Sequence, residues 1–455
     1  MKQKKKVLAV LFLAFSVMFG TSGWMADVQA AETGAEEKSG RIFYISTEAE
    51  LRNISADMTA AYVMTGDITL SGAWRTPSGI FTGSFDGNGY TIRGFRISSG
   101  TEGYAGLFGR LSGTVSNLAV ENARINCGGD LSVGAIAGAV TGESLITNCN
   151  VTGTLNFNGS AVRAGALCGD PGFSLLTIDT CTSEMDISVL ASGSSTIGAL
   201  AGGDAAAKVV NSDVDCDVKV TQSERGPAVF DIYGLSAVYE EDKKNVRHST
   251  VKGSYSVRTE DGEASITALA QAFECQTSAE LTGETNLGTL SLHGGMNVAR
   301  CQNTGNITIK GCDAGTLYGV GLQGACSSTN SGDVTIEASG NSEVSANGIA
   351  YSGDFASNTG NITARGASST VCANGVWEAG DVCDNSGTVK AEPTGTANAD
   401  ARGIYKCNYS DNSGNVTASR LAWGTQDCDY STNKGIIRAN NTEQGYEVAA
   451  RGCGG

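Results

Sequence analysis

The sequence predicts an all-β chain: a right-handed parallel β-helix, a solenoid of about twelve coils with a short N-terminal helical cap. Three observations point there. The stretch Val133 to Phe157 (VGAIAGAVTGESLITNCNVTGTLNF) is restated along the chain, with Gly106-Leu-Phe-Gly109 opening the unit before it and Gly165-Ala-Leu-Cys-Gly169 and Gly198-Ala-Leu-Ala-Gly202 the two after. A second dialect follows: Asn303-Thr-Gly305 recurs with its glycine at Gly332, Gly360, Gly387, Gly414 and Gly435, spaced 27, 28, 27, 27 and 21 residues. Finally, the segments between these marks run about four to six residues, rich in Val, Ile and Thr and bounded by Gly and Asn, which suits strands and turns rather than helices. A left-handed hexapeptide helix would need a six-residue repeat, and the sequence has none.

Residues 1–30 read as a secretory signal. Lys2, Lys4, Lys5 and Lys6 precede an apolar core from Val7 to Gly20, and Val28-Gln29-Ala30 is a small-residue cleavage site. That apolar run is shorter than the ~20 residues a membrane span requires, so no membrane insertion is expected. Residues 31–40 are polar and expected to be a disordered linker. The segment 41–98 is read as the N-terminal cap and first coil. Within it Arg41–Ile45 is a strand, Thr47 to Glu50 a capping box with Leu51 and Ile54 at helical spacing behind it, and Ala61–Leu70 a strand again. Asp86-Gly87 and Asn88-Gly89 demand a tight turn with positive φ between two apolar strands. The same residues lack the later Gly and Glu of a calcium loop.

The block Phe81–Ile92, with Gly106-Leu-Phe-Gly109, Gly134-Ala-Ile-Ala-Gly138 and Asn148-Cys-Asn-Val-Thr-Gly153, resembles the GLUG-motif repeat proteins of bacterial cell surfaces. The resemblance covers about residues 41–220. It implies a right-handed parallel β-helix in an extracellular, adhesin-like protein, and it brings no agreed catalytic residues.

Residues 99–455 are read as the β-helix repeats, interrupted near 239–248 by a charged run, Glu240 to Lys244, expected as a solvated loop. The recurrent Asn before Ser/Thr-Gly fits a turn that needs a left-handed residue, and stacking would align these side chains into a hydrogen-bonding ladder. Ile307, Val334, Ile362, Val389 and Val416 follow the turn glycine at equal offset and should form one inward column. Asn148-Cys149, Thr180-Cys181 and Asp215-Cys216 read as a repeated column of small inward side chains. Cys407 and Cys428, each seven residues before its glycine, are expected as stacked neighbours with reduced thiols, because parallel stacking holds their Cβ atoms wider than a disulfide prefers.

The chain carries 31 Lys and Arg against 47 Asp and Glu, and removing the lysine-rich leader makes it more acidic still. That balance argues against nucleic acid and anionic membrane as partners. No catalytic or phosphate-binding motif is present, and no cofactor is expected. The two histidines, His248 and His293, read as surface residues. Asp213, Asp215 and Asp217 alternate along one strand face and are the metal candidate, for calcium. The ligand-binding candidates are Trp377 and Tyr405, turned outward on adjacent coils if Ile349, Val376 and Ile404 point inward, with Tyr351 and Trp423 flanking them. The expected function is therefore a secreted or cell-surface, non-enzymatic rod binding a glycan or a host or extracellular protein. Its alternative is a polysaccharide lyase or hydrolase, which would need a cleft with converging carboxylates. End-to-end self-association is a third expectation, because nothing caps the last coil near Gly435.

Overall fold

The computed structural model describes residues 41–454 except 101–102, 173–175, 204, 206, 237–244, 368–369, 395–398 and 440–448, with side chains described to residue 439. The expected leader, linker and charged run at 240–244 lie outside the described residues.

Strand pairing is parallel throughout and runs from coil to coil, so the chain is a β-solenoid. One wall is a sheet of thirteen parallel strands, beginning at Tyr104–Ala105 and ending at Ala449–Gly454. Its thirteen strands make about twelve coils, as the repeat count predicts. A second wall of nine strands starts at Ile42–Ile45 and narrows to Ala272–Phe273. A third receives from each coil one long strand, such as Asn150–Gly159, or two short ones. The first coils carry a fourth wall of four strands, ending at Cys168–Asp170.

The cap forms as read. Helix α1 (Glu48–Arg52) begins with Thr47, whose hydroxyl accepts from the Glu50 amide while the Glu50 carboxylate accepts from the Thr47 amide at 3.0 Å. Leu51 and Ile54 are buried behind it. At the Asp86–Gly89 turn, Asn88 and Gly89 take φ of 51° and 79°. The turn is a solenoid corner rather than a hairpin, since Ser84–Asp86 and Thr91–Arg93 pair with strands of different walls.

The inward column stands as expected. Ile307, Val334, Ile362, Val389 and Val416 are register partners in sequence and all buried. On the outside of the same wall Arg258, Glu284, Lys310, Glu337, Arg365 and Glu392 are also successive partners, an alternating charge ladder.

The asparagine ladder forms, but inside. Nδ2 of Asn303, Asn330, Asn358, Asn385 and Asn412 each donates to Oδ1 of the next asparagine, at 2.6–2.8 Å, the last receiving group being Asn433. Each also donates to the carbonyl of the glycine two residues on. These asparagines do not take positive φ, against the turn reading. Two glycine registers exist because of them and of coil stacking. A Cβ on Gly348, Gly375 or Gly403 would lie 2.3–2.4 Å from an asparagine side chain, and a Cβ on Gly332, Gly387 or Gly414 would lie 1.9 Å from the carbonyl of the preceding glycine in the same column.

Left-handed corners lie elsewhere. Asn117, Asn148, Thr180, Asn211, His248, Glu274, Arg300, Ser327, Phe355, Val382, Tyr409 and Tyr430 occupy one corner, coil after coil, at φ of 50–62°. From Asn148 to Tyr409 the residue after each is small and buried: Cys149, Cys181, Ser212, Ser249, Cys275 and Cys301 belong to this column. Its side chains accept from the backbone amide one coil back, as Ser212 does from Cys181 and Cys301 from Cys275. Cys216 is not part of it. It lies one coil on from Met185, since Asp213 and Val214 align with Thr182 and Ser183, and it is buried near the Tyr255 hydroxyl. Cys407 and Cys428 stack as expected, unbonded, the first buried and the second half-buried.

Candidate functional site

The thirteen-strand wall presents its outer face in columns, because alternate residues of each strand point out and parallel pairing keeps equivalent residues in line. One column runs Ala350, Trp377, Tyr405, Gln426. Ile349, Val376 and Ile404 beside it are buried, so Trp377 and Tyr405 face outward as the alternation requires. Their ring centroids are 4.5 Å apart at 38°. The Arg402 guanidinium lies 5.3 Å from the Trp377 ring and 5.5 Å from the Tyr405 ring, a cation–π arrangement that fixes both. Arg402 is held by Gln426 at 2.7 Å and by Asp400, which Arg420 also grips.

The other two candidates are placed differently from the expectation. Tyr351 sits one residue past the column, at a corner with φ of 48°, and is 55% exposed. It shares a pocket of about 230 Å³ with Trp377, Tyr318, Asn347 and Asn374. Trp423 does not flank the pair: it is the register partner of Arg402, one column over. Trp377 and Tyr405 each lie two residues after their glycine, whereas Tyr351 lies three after Gly348 and Trp423 one before Gly424, so neither shares the column.

Asp213 and Asp215 share an exposed face with Val214 buried between them. Asp217 instead accepts from the Ser254 amide and hydroxyl at 3.0 and 2.7 Å, which joins two coils. No group of three or more His, Cys, Asp or Glu among the described residues is arranged to hold a metal ion, this trio included.

His248 is exposed and pairs with Glu274 at 3.0 Å, as a surface residue would. His293 is not on the surface: it is 7% exposed, packs against Tyr318 and shares a 2.8 Å hydrogen bond with the Ser291 hydroxyl. Burial depresses its pKa to about 4, so it is neutral at pH 7.

Sequence reading missed a groove of about 400 Å³ at the N-terminal end of the same wall. Tyr104, Ser132, Arg163, Thr196 and Asp231 line up across it as successive register partners. Asp130 and Asp170 join them, and Asp170 lies 3.6 Å from Arg163 at the end of the last strand of the fourth wall. The signal was one polar residue per coil at a spacing near 30, visible only once the repeats are aligned in register.

No family model matches the chain. It is 33% identical over 148 residues to Halomucin of Haloquadratum walsbyi, an alignment covering 28% of this chain, and the chain spans about 2% of that relative's length. A solved structure from Bacteroides ovatus, described as that of a candidate immunoglobulin A1 protease, aligns over 60% of this chain and 77% of its own at 18% identity, with a TM-score of 0.33. A likeness at that level adds nothing to the fold described above.

Proposed function

We propose that the protein is an extracellular, non-catalytic interaction rod that binds glycan chains on the outer face of its thirteen-strand wall. The observation that carries this reading is the Trp377–Tyr405 pair, held outward on adjacent coils beside a pocket lined by Tyr318, Tyr351, Asn347 and Asn374. Aromatic faces offer sugar rings apolar contact, and amides beside them offer hydrogen bonds. The secretory leader, the acidic composition and the resemblance to GLUG-motif surface proteins favour an extracellular setting. A glycan-array screen of the protein should give hits that Trp377→Ala with Tyr405→Ala weakens about tenfold or more, a loss of about 1.4 kcal/mol. Unchanged binding by a folded double variant would make the pair structural.

A second reading is favoured by the groove: a polysaccharide-active enzyme with Asp130, Asp170 and Asp231 as its carboxylates. Release of reducing ends or unsaturated sugars from acidic polysaccharides, abolished by Asp231→Asn, would establish it and displace the first.

A further inference from the structure

The corner that Asn117, Asn148 and Asn211 fill in the early coils is filled in four consecutive late coils by Phe355, Val382, Tyr409 and Tyr430, at φ of 62°, 59°, 53° and 54°. Asparagine reaches this backbone region at little cost, whereas a bulky or β-branched residue is strained there. The four side chains nevertheless remain on the surface. They are 62%, 40%, 57% and 81% exposed, and the Tyr409 and Tyr430 rings stack in parallel, 5.1 Å apart at 4°. A strip that is both strained and exposed, where the other coils use asparagine or another polar residue, serves something other than the fold.

Charge identifies what fits it. On one side of the strip stand Asp354, Asp381 and Asp429, each exposed, and on the other Asp384, also exposed. The lysines nearby are engaged: Lys406 with Glu378 at 2.8 Å and Lys434 with Asp411 at 3.1 Å. An apolar, aromatic row between carboxylates is complementary to a chain bearing both apolar and cationic groups, whose cations also find the tyrosine faces.

We propose that this corner strip docks an extended segment of a partner protein in which lysine or arginine alternates with apolar residues. The site is separate from the Trp377–Tyr405 face and stands without it.

The test replaces Phe355, Val382, Tyr409 and Tyr430 together by Asn. The probes are a labelled synthetic peptide of alternating lysine and leucine and its control with glutamine in place of lysine. The wild-type chain should bind the cationic peptide better than the control, and less well as salt is raised. The Asn variant should melt at the same or a higher temperature while losing at least tenfold in affinity for the cationic peptide. The Trp377→Ala, Tyr405→Ala variant should bind the peptide as the wild type does. A lower melting temperature in the Asn variant would show the strip to be structural. Unchanged peptide affinity in that variant, equal binding of the control, or no binding of either peptide would each overturn the proposal, as would loss of peptide binding in the Trp377→Ala, Tyr405→Ala variant.

Discussion

The coils before about residue 234 and those after about 281 use one stacking lattice with opposite placements of the same residue. In the early coils asparagine stands outside, at the left-handed corner, where Asn148 donates to Asn117 at 2.8 Å in contact with solvent. In the late coils asparagine has moved inside as a buried ladder against a glycine wall, and from Phe355 on aromatic and aliphatic residues have taken the corner. The lesson is that a repeat lattice sets positions, not residues. Any side chain that satisfies its backbone neighbours can hold a position, so a column vacated by asparagine is free to become a surface with another purpose.

Glycine meets two separate needs in this lattice, and gives the largest expected effect. Gly129 takes φ of 87° with open space around its Cβ position, so it is needed for conformation alone. Gly387 is needed for space, with a carbonyl 1.9 Å from where a Cβ would be. Gly387→Ala should destabilise by about 3 kcal/mol or more and Gly129→Ala by about 1–2 kcal/mol, read by chemical denaturation. Equal losses would remove the distinction.

His293 stands where the two dialects meet, and its effect is next in size. Its folded pKa of about 4 lies below the unfolded value of 6.5, so between these the unfolded chain binds more protons. Stability from this group is full above pH 6.5 and is lost as pH falls toward 4, by about 3 kcal/mol in all. Denaturation midpoints between pH 7 and pH 4 should show this slope in the wild type and lack it in His293→Leu. An identical slope in both would locate the acid sensitivity elsewhere.

Most of the architecture was legible from the sequence because it is periodic. Leu51 and Ile54, the Ile307 column and the thiol pair Cys407–Cys428 all follow from fixed offsets. What failed was whatever depends on where a coil bends. The recurrent asparagines looked like left-handed turn residues because glycine and asparagine cluster there, yet glycine is present for close approach and asparagine for an interior hydrogen bond. Trp423 looked like a neighbour of Tyr405 because both lie close to their glycine, although one precedes it and the other follows it, three positions apart in register. His293 looked exposed because Gly294 and Gly295 beside it suggested a loop, whereas Tyr318 one coil on covers it. The groove at Asp130, Asp170 and Asp231 was not legible, since its residues lie on separate coils with no local motif.

The smallest effect concerns the external charge ladder of the late coils. Arg365 lies 3.0 Å from Glu337 and also pairs with Glu392, all partly exposed. Arg365→Ala should lower stability by no more than about 1 kcal/mol, and less at high salt. A larger, salt-independent loss would mean that the ladder holds the coils as firmly as the asparagines do.

The contrast between the two asparagine columns is tested most directly by an isosteric exchange in each, followed by thermal unfolding. Asn385→Asp removes both amide donors from the buried ladder and puts a carboxylate among groups that have no cation to offer it. Asn148→Asp changes an exposed corner that aspartate also adopts readily. The melting temperature should fall by many degrees in the first variant and stay within a degree or two of wild type in the second. Two variants that melt alike would contradict the account.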